Sequence, residues 1–160
     1  MNIIIRAAGQ SDLKAMIHLT LKAFEPIFIS FENILGSEVF SVLYPNWQST
    51  QQKIVEDAFD DEKIDIWVAE VEGRVAGLVT LKLDAQSKIG EVHFLAVHPE
   101  YQNQGIGHAL NEYVLGKMWA AGMVVATVST GGDPSHAPAR RVYEKSGYIP
   151  LPIVNYYQNL

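Results

Sequence analysis

Apolar and polar positions along this chain alternate between two spacings, and the changes of spacing mark its elements. IIIRA, residues 3–7, is a short apolar run that predicts a strand. Leu13, Met16, Ile17, Thr20, Leu21 and Phe24 then recur at helical intervals behind Ser11 or Asp12, which predicts a capped helix over 11–24. Pro26 and Pro45 interrupt the pattern between residues 25 and 62, where two short helices are expected, the second on STQQKIVEDAF ending near Phe59. From Ile64 the texture becomes β-branched and apolar: IDIWVAEV and RVAGLVTLKLD, joined by Glu72-Gly73, predict a hairpin, and IGEVHFLAV at 89–97 a third long strand.

The second half repeats strand and helix. HPEYQNQGIGHAL leads into a helix running to about Ala121, which Gly122 stops. MVVATVST at 123–130 predicts a buried strand, HAPARRVYEKSG a short helix ending at Gly147, and YIPLPIVNYYQ a pair of final extended segments broken by Pro150 and Pro152. Together these elements make an α+β arrangement with helices flanking a largely antiparallel sheet. With no repeat, low-complexity linker or change of texture that would mark a boundary, residues 1–160 are expected to form a single domain.

Composition narrows the chemistry. Twelve Lys and Arg against 18 Asp and Glu give a net charge of -6, which argues against nucleic acid or an anionic membrane as partner and suits a neutral or cationic one. Cys is absent, so there is no disulfide frame, thiolate metal site or cysteine nucleophile. No apolar run approaches the ~20 residues of a spanning helix, and the opening MNIIIRAAGQ does not resemble a secretory signal, so a cytoplasmic location is expected. His18, His98 and His108 have no metal-ligand spacing, no metal is expected, and no G-x-S-x-G elbow occurs. Trp47, Trp67 and Trp119 read as core or cleft-lining aromatics.

The stretch after residue 97 is the main candidate for binding. It fits neither G-x-G-x-x-G, because Leu110 stands where the third glycine is needed, nor the Walker A loop. What remains is Q-x-x-G-x-G, with Gln102, Gly105 and Gly107. Amides opening a helix point outward with the positive end of the dipole behind them, and glycines let an anion approach that backbone.

The run EVHFLAVHPEYQNQGIGHALNEYVLGKMWAAG, a strand, then V-x-P-x-x-Q-x-x-G-x-G, then an amphipathic helix, resembles the acetyl-coenzyme A signature of the GNAT superfamily of N-acyltransferases. APARRVYEKSGY resembles that superfamily's later motif, and the two together cover roughly residues 64–149. The resemblance implies the GNAT acyl-CoA N-acyltransferase fold, a central mixed, mostly antiparallel, twisted sheet flanked by helices. It implies acetyl-CoA as cosubstrate, its pyrophosphate held by amides of Asn103, Gln104, Gly105, Ile106, Gly107 and His108 behind Gln102. The backbone of Leu95, Ala96 and Val97 would pair with the pantetheine arm, in a gap where the strands at 89–97 and 123–129 splay apart. Dimers are frequent in families of this kind, so a homodimer is among the expectations.

The implied reaction is direct attack of a primary amine on the thioester, which needs a neutral amine, a stabilised oxyanion and a proton for the thiolate. The resemblance places Tyr143 near the sulfur, as donor of that proton or of a hydrogen bond, and Glu91 where some histone-type members carry a base; it also implies a backbone amide around Val97 for the oxyanion. Strand alternation puts Glu91, His93, Leu95 and Val97 on one face and Val92, Phe94 and Ala96 on the other, which makes His93 a second base candidate. Many relatives carry Asn seven residues before the tyrosine; this chain has His136, which still offers a donor to the cofactor or to a water. STGGDPSH at 129–136 reads as a plain loop or as part of the cleft wall, and Arg140, Arg141 and Lys145 as a solvated helix face or contacts to the nucleotide 3'-phosphate. Segments 25–50 and 150–157 are expected to build the acceptor cleft. Two other readings stay open: a non-catalytic module that binds acetyl-CoA as sensor or scaffold, and a longer acyl donor.

Overall fold

In a computed structural model, residues 2–160 are described. Five strands, β1 (Ile4–Ala7), β2 (Ile64–Val71), β3 (Arg74–Asp84), β4 (Ile89–Val97) and β5 (Val125–Val128), form one sheet in chain order. Every neighbouring pair is antiparallel except β4 with β5, which is parallel. The β2–β3 hairpin closes through Glu72 (φ 50°) and Gly73 (φ 76°), both in the left-handed region that a two-residue turn of this hand requires.

Helices cover both faces. α4 (Ile106–Ala120) buries Ile106, Leu110, Val114 and Met118 against Val79, Leu81 and Val92. On the other face α1 (Leu13–Leu35) and α3 (Trp47–Asp60) bury Met16, Leu19 and Val55 against Ile66, Val68, Leu78 and Ala96. Gly77 and Gly90 allow the close approach of α4, since a Cβ at Gly77 would sit 3.0 Å from Ile106 and Leu110 and one at Gly90 would run into Met118.

Several expectations are corrected. α1 does not stop at Pro26 but runs through it to Leu35. The lost backbone bond is offset by packing, because Phe28 stacks on Trp47 at 4.4 Å and both Phe28 and Phe31 meet Tyr44. Pro45 does break the chain, between α2 (Ser37–Leu43) and α3. Asp12 does not cap α1 through its side chain; its carboxylate takes Arg6 at 2.7 and 3.0 Å and closes the preceding turn by accepting the Gly9 amide at 2.8 Å, joining β1 to the start of α1. β5 is a short edge strand rather than a buried one, with Val125 52% exposed. The final segments after Tyr148 join no strand, and Ile149, Leu151, Ile153, Val154 and Tyr156 are exposed; Pro150 and Pro152 have no N–H to give a ladder. Trp119 is 83% exposed on α4, whereas Trp67 lies under Lys117 beside Tyr113. Among the described residues no helix is long and apolar enough to cross a membrane.

Candidate active site

Strand β4 carries the irregularity on which the site depends. Val79 pairs with Leu95 and Leu81 with Val92, so Thr80 alone faces both His93 and Phe94: β4 holds one extra residue. Thr80, fully buried, pins the bulge, its hydroxyl accepting from the Phe94 amide at 3.0 Å and donating to the Phe94 carbonyl at 3.3 Å. An extra residue reverses the alternation beyond it. Val92, Leu95 and Val97 consequently all pack on the α4 side, while Phe94 and Ala96 pack toward α1 and α3. The expected common face of Glu91, His93, Leu95 and Val97 is therefore split. Glu91 pairs across with Lys82, which alternates with Leu81 and Leu83 of the α4-side core, and so lies on the α1 side. His93 Nε2 stands 3.5 Å from Glu91 Oε2, and both side chains are partly exposed.

The bulge coincides with the end of pairing on the other edge of β4. β5 joins it only from Ile89↔Val125 to Val92↔Val128, so residues 93–97 have no strand beside them there. The His98 amide donates to Ala76 of β3 at 2.9 Å. By antiparallel alternation the peptide groups of Leu95 and Val97 turn into this gap and those of Ala96 turn back to β3. Gln102 donates to the Val97 carbonyl at 3.0 Å, which fixes the start of the following loop. The two strands stop pairing here because β5 ends at Val128, and the open edge is narrower than Leu95, Ala96 and Val97 together.

At the end of the gap stands the N-terminus of α4. Asn103 (φ 59°) and Gly105 (φ 84°) both adopt left-handed backbone, and Gln104 reaches back to the Glu100 carbonyl. The first helical bond is Ala109 N–H to Gly105 C=O, so the amides of Ile106, Gly107 and His108 precede any intrahelical acceptor. Gly107 faces the gap: a Cβ there would touch Leu95, Val97 and Val142 at 3.5–3.7 Å. Anion-binding amides, a free strand edge and a clearance between them lie in one line, a fit for a diphosphate carrying a peptide-like arm.

The far wall is α5 (Ala137–Lys145) with the loop before it. Tyr143 is 7% exposed, its ring edge-on to Tyr148, and its hydroxyl has no protein partner among the described residues. Burial, with Tyr148 adding to it, pushes the phenol up to about 12, so the proton stays on the oxygen. Ser146 at the end of α5 approaches His108 at 3.4 Å. At the other end of α5, Asp133 accepts from Ser30 of α1 at 2.7 Å, from the Ser135 amide at 3.1 Å, and from the Ser135 hydroxyl and His136 Nδ1. Burial pushes this carboxyl up, but the hydrogen bonds from Ser135, Ser30 and His136 outweigh it and hold the pKa at about 2. Arg140 ties the turn by donating to the carbonyls of Gly131 and Asp133. The His136 ring stacks on Phe31 at 5.8 Å, and Phe31 belongs to the aromatic group with Phe28 and Tyr44. The loop 129–136 is thus joined to α1. The tail meets the same region, where Asn159 donates to Glu38 of α2 at 2.9 Å. The Asp133–His136 pair is not legible as such in the sequence, since its members are three residues apart in a glycine-rich turn; the D-P-S-H run after two glycines is its only trace.

Among the described residues no cluster of His, Asp and Glu is arranged to hold a metal. Residues 29–148 match the model of the acetyltransferase (GNAT) family. A mycothiol acetyltransferase of Streptomyces coelicolor is 29% identical over 106 residues, 62% of this chain and 34% of the relative. The chain thus spans about a third of the length of that relative. An S-(2-succino)cysteine N-acetyltransferase of Bacillus subtilis is 26% identical over 149 residues, 90% of this chain and 82% of the relative. Among solved structures, the PaiA N-acetyltransferase of Thermoplasma acidophilum in complex with coenzyme A superposes with a TM-score of 0.67 at 19% identity, over 92% of this chain and 89% of that one. That likeness is one of fold.

Proposed function

The chain belongs to the acetyltransferase (GNAT) family, and from that premise we propose that it moves an acetyl group from acetyl-CoA to a primary amine by direct attack, without an acyl-enzyme. The observation that carries this reading is the line formed by the unpaired edge of β4 at Leu95 and Val97, the clearance at Gly107 and the opening amides of α4. The pyrophosphate would sit on the amides around Gly105 to His108, and the arm along Leu95 and Val97.

Transfer to an ammonium removes two protons from nitrogen and returns one to sulfur. In this reading Glu91 and His93 accept the first, and their partial exposure lets them pass it to water. Tyr143 serves the sulfur. Its phenol, at about 12, is a weaker acid than a thiol near ~8.5, and complete transfer would run uphill by roughly 5 kcal/mol. We therefore assign Tyr143 to hydrogen bonding of the developing thiolate rather than to permanent loss of its proton. The acceptor would lie among Phe28, Phe31 and Tyr44, with the tail near Glu38 as its outer border.

A cytoplasmic location and a homodimer belong to the same reading. The exposed apolar side chains at 149–156 and, separately, the bare β5 edge support a second copy, and the acidic balance argues against a polyanionic partner. Thiol release with acetyl-CoA and a panel of primary amines tests the activity. Binding of coenzyme A with no turnover on any amine would favour a sensor instead.

A further inference from the structure

We propose that His136, held by Asp133, is the base that takes the second proton from the acceptor nitrogen, the one released as the N–C bond forms. This rests on the acetyltransferase reading. The dyad has the features of a proton acceptor fixed in one orientation. Nδ1 is engaged by the Asp133 carboxylate, so the other ring nitrogen, Nε2, bears the lone pair, and it has no protein partner among the described residues. Asp133 is itself fixed by Ser30 and Ser135, and Gly131 leaves the space in which the pair meets, since a Cβ there would run into both His136 and Asp133.

Position supplies the second reason. One end of α5 meets the anion-binding loop, through Val142 at Gly107 and Ser146 at His108; the other end meets the acceptor-side aromatics, through His136 on Phe31. Tyr143 belongs to the loop-facing end, between Val142 and Ser146, seven residues or about 10 Å along the helix axis from His136. A thioester arm laid from the loop past Tyr143 therefore presents its carbonyl toward His136. The charged groups around the ring are Asp133 and the guanidinium of Arg140; α1 presents the uncharged Ser30 and Phe31, with Tyr44 behind Phe31.

The step balances. The amine lone pair forms the N–C bond while the carbonyl π pair moves to oxygen, and His136 Nε2 takes the proton from nitrogen. The oxyanion then re-forms the carbonyl, and the C–S pair leaves on sulfur beside the Tyr143 hydroxyl. The proton returns from the imidazolium to sulfur by way of the Tyr143 hydroxyl, which gives one proton to the thiolate as it takes another. Amine and thioester become amide and thiol, with both residues regenerated.

Hydroxylamine, neutral at pH 7, isolates this step because no first proton has to leave. With the full chain and acetyl-CoA, His136→Gln and His136→Asn are each expected to lower kcat roughly 100- to 10,000-fold above background while the acetyl-CoA Kd from calorimetry stays within about threefold. Asp133→Asn should lower kcat roughly 10- to 100-fold with acetyl-CoA affinity retained, since the ring loses the carboxylate that orients it. Retained affinity shows that the variants are folded. Wild-type rates in either His136 variant or in Asp133→Asn would overturn the dyad alone. Wild-type protein that binds acetyl-CoA but acetylates nothing would overturn it too, and failure to bind acetyl-CoA would remove the acetyltransferase reading itself.

Discussion

Alanine at Gly105 and alanine at Gly107 should have opposite effects, although the two glycines are separated by one residue. Gly105 has φ 84°, and a Cβ there would have nothing within 4 Å, so the penalty is purely conformational, about 1–2 kcal/mol for an L-residue in left-handed backbone. Gly107 is inside α4, and its Cβ would make ordinary contacts with Leu95, Val97 and Val142 at 3.5–3.7 Å. Alanine fits there and gains up to ~1 kcal/mol of helix propensity. For a domain of this size each kcal/mol is worth ~2–4 °C in Tm. Calorimetric scans should therefore show Gly105→Ala melting several degrees below the wild type and Gly107→Ala at or a few degrees above it. Leucine at Gly107 separates stability from binding. Its larger side chain would crowd the place bordered by Leu95, Val97 and Val142 where the arm is proposed to run, so coenzyme A affinity by titration calorimetry should fall at least ~10-fold, about 1.4 kcal/mol. A Gly107→Leu protein that binds coenzyme A as tightly as the wild type would refute the course assigned to the arm, and Tm shifts of the same sign in both alanine variants would refute the conformational reasoning.

Tyr143→Phe should lower kcat roughly 10- to 1000-fold with coenzyme A affinity nearly intact; unchanged turnover would take the hydroxyl out of the mechanism. The same variant should alter alkaline stability. Burial pushes Tyr143 up to about 12, so its contribution is intact below pH 10 and is lost as the pH climbs toward 12, about 1.4 kcal/mol per pH unit, with the half-buried Tyr148 adding less; Tyr143→Phe should flatten that slope in denaturant titrations. At the acid end the depressed Asp133 carboxyl contributes above about pH 4 and ceases to as the pH falls toward 2, roughly 2 kcal/mol in all, and Asp133→Asn should abolish this part of the acid transition. Thr80→Val keeps the shape and removes both hydrogen bonds to the Phe94 peptide, so it should cost about 1–3 kcal/mol by urea unfolding and reduce transfer as well, because the register of Leu95 and Val97 depends on that peptide.

What is legible in the sequence is whatever a local period or a local turn dictates. The hairpin at Glu72-Gly73, the helix stopped by Gly122 and the glycine loop before α4 each follow from a few neighbouring residues, and each stands where it is expected. Pro26 misleads because a local rule meets a tertiary override: Phe28 and Phe31 bind the second half of α1 to Tyr44 and Trp47, residues whose proximity no local pattern records. The β5 segment reads as buried because Val124 and Val125 are apolar, but burial depends on a neighbour beyond the edge, and none of the described residues supplies one.

The bulge at His93 and Phe94 is the deepest of these differences, because one inserted residue produces three features of the site together. It reverses alternation, so Leu95 and Val97 face α4 and Gly107 while Glu91 and His93 stay on the α1 side. It lies where β4 and β5 separate, at Val92 and Val128, and so beside the free edge that an extended arm can join. It also divides the proton chemistry. A uniform strand would have set the carboxylate and imidazole of Glu91 and His93 beside the thioester segment; the bulged strand puts them on the opposite, solvated face, where they can exchange with water. The base we propose comes from elsewhere: His136, held by Asp133 in the turn before α5 and docked on Ser30 and Phe31 of α1, with Tyr143 seven residues further on in α5.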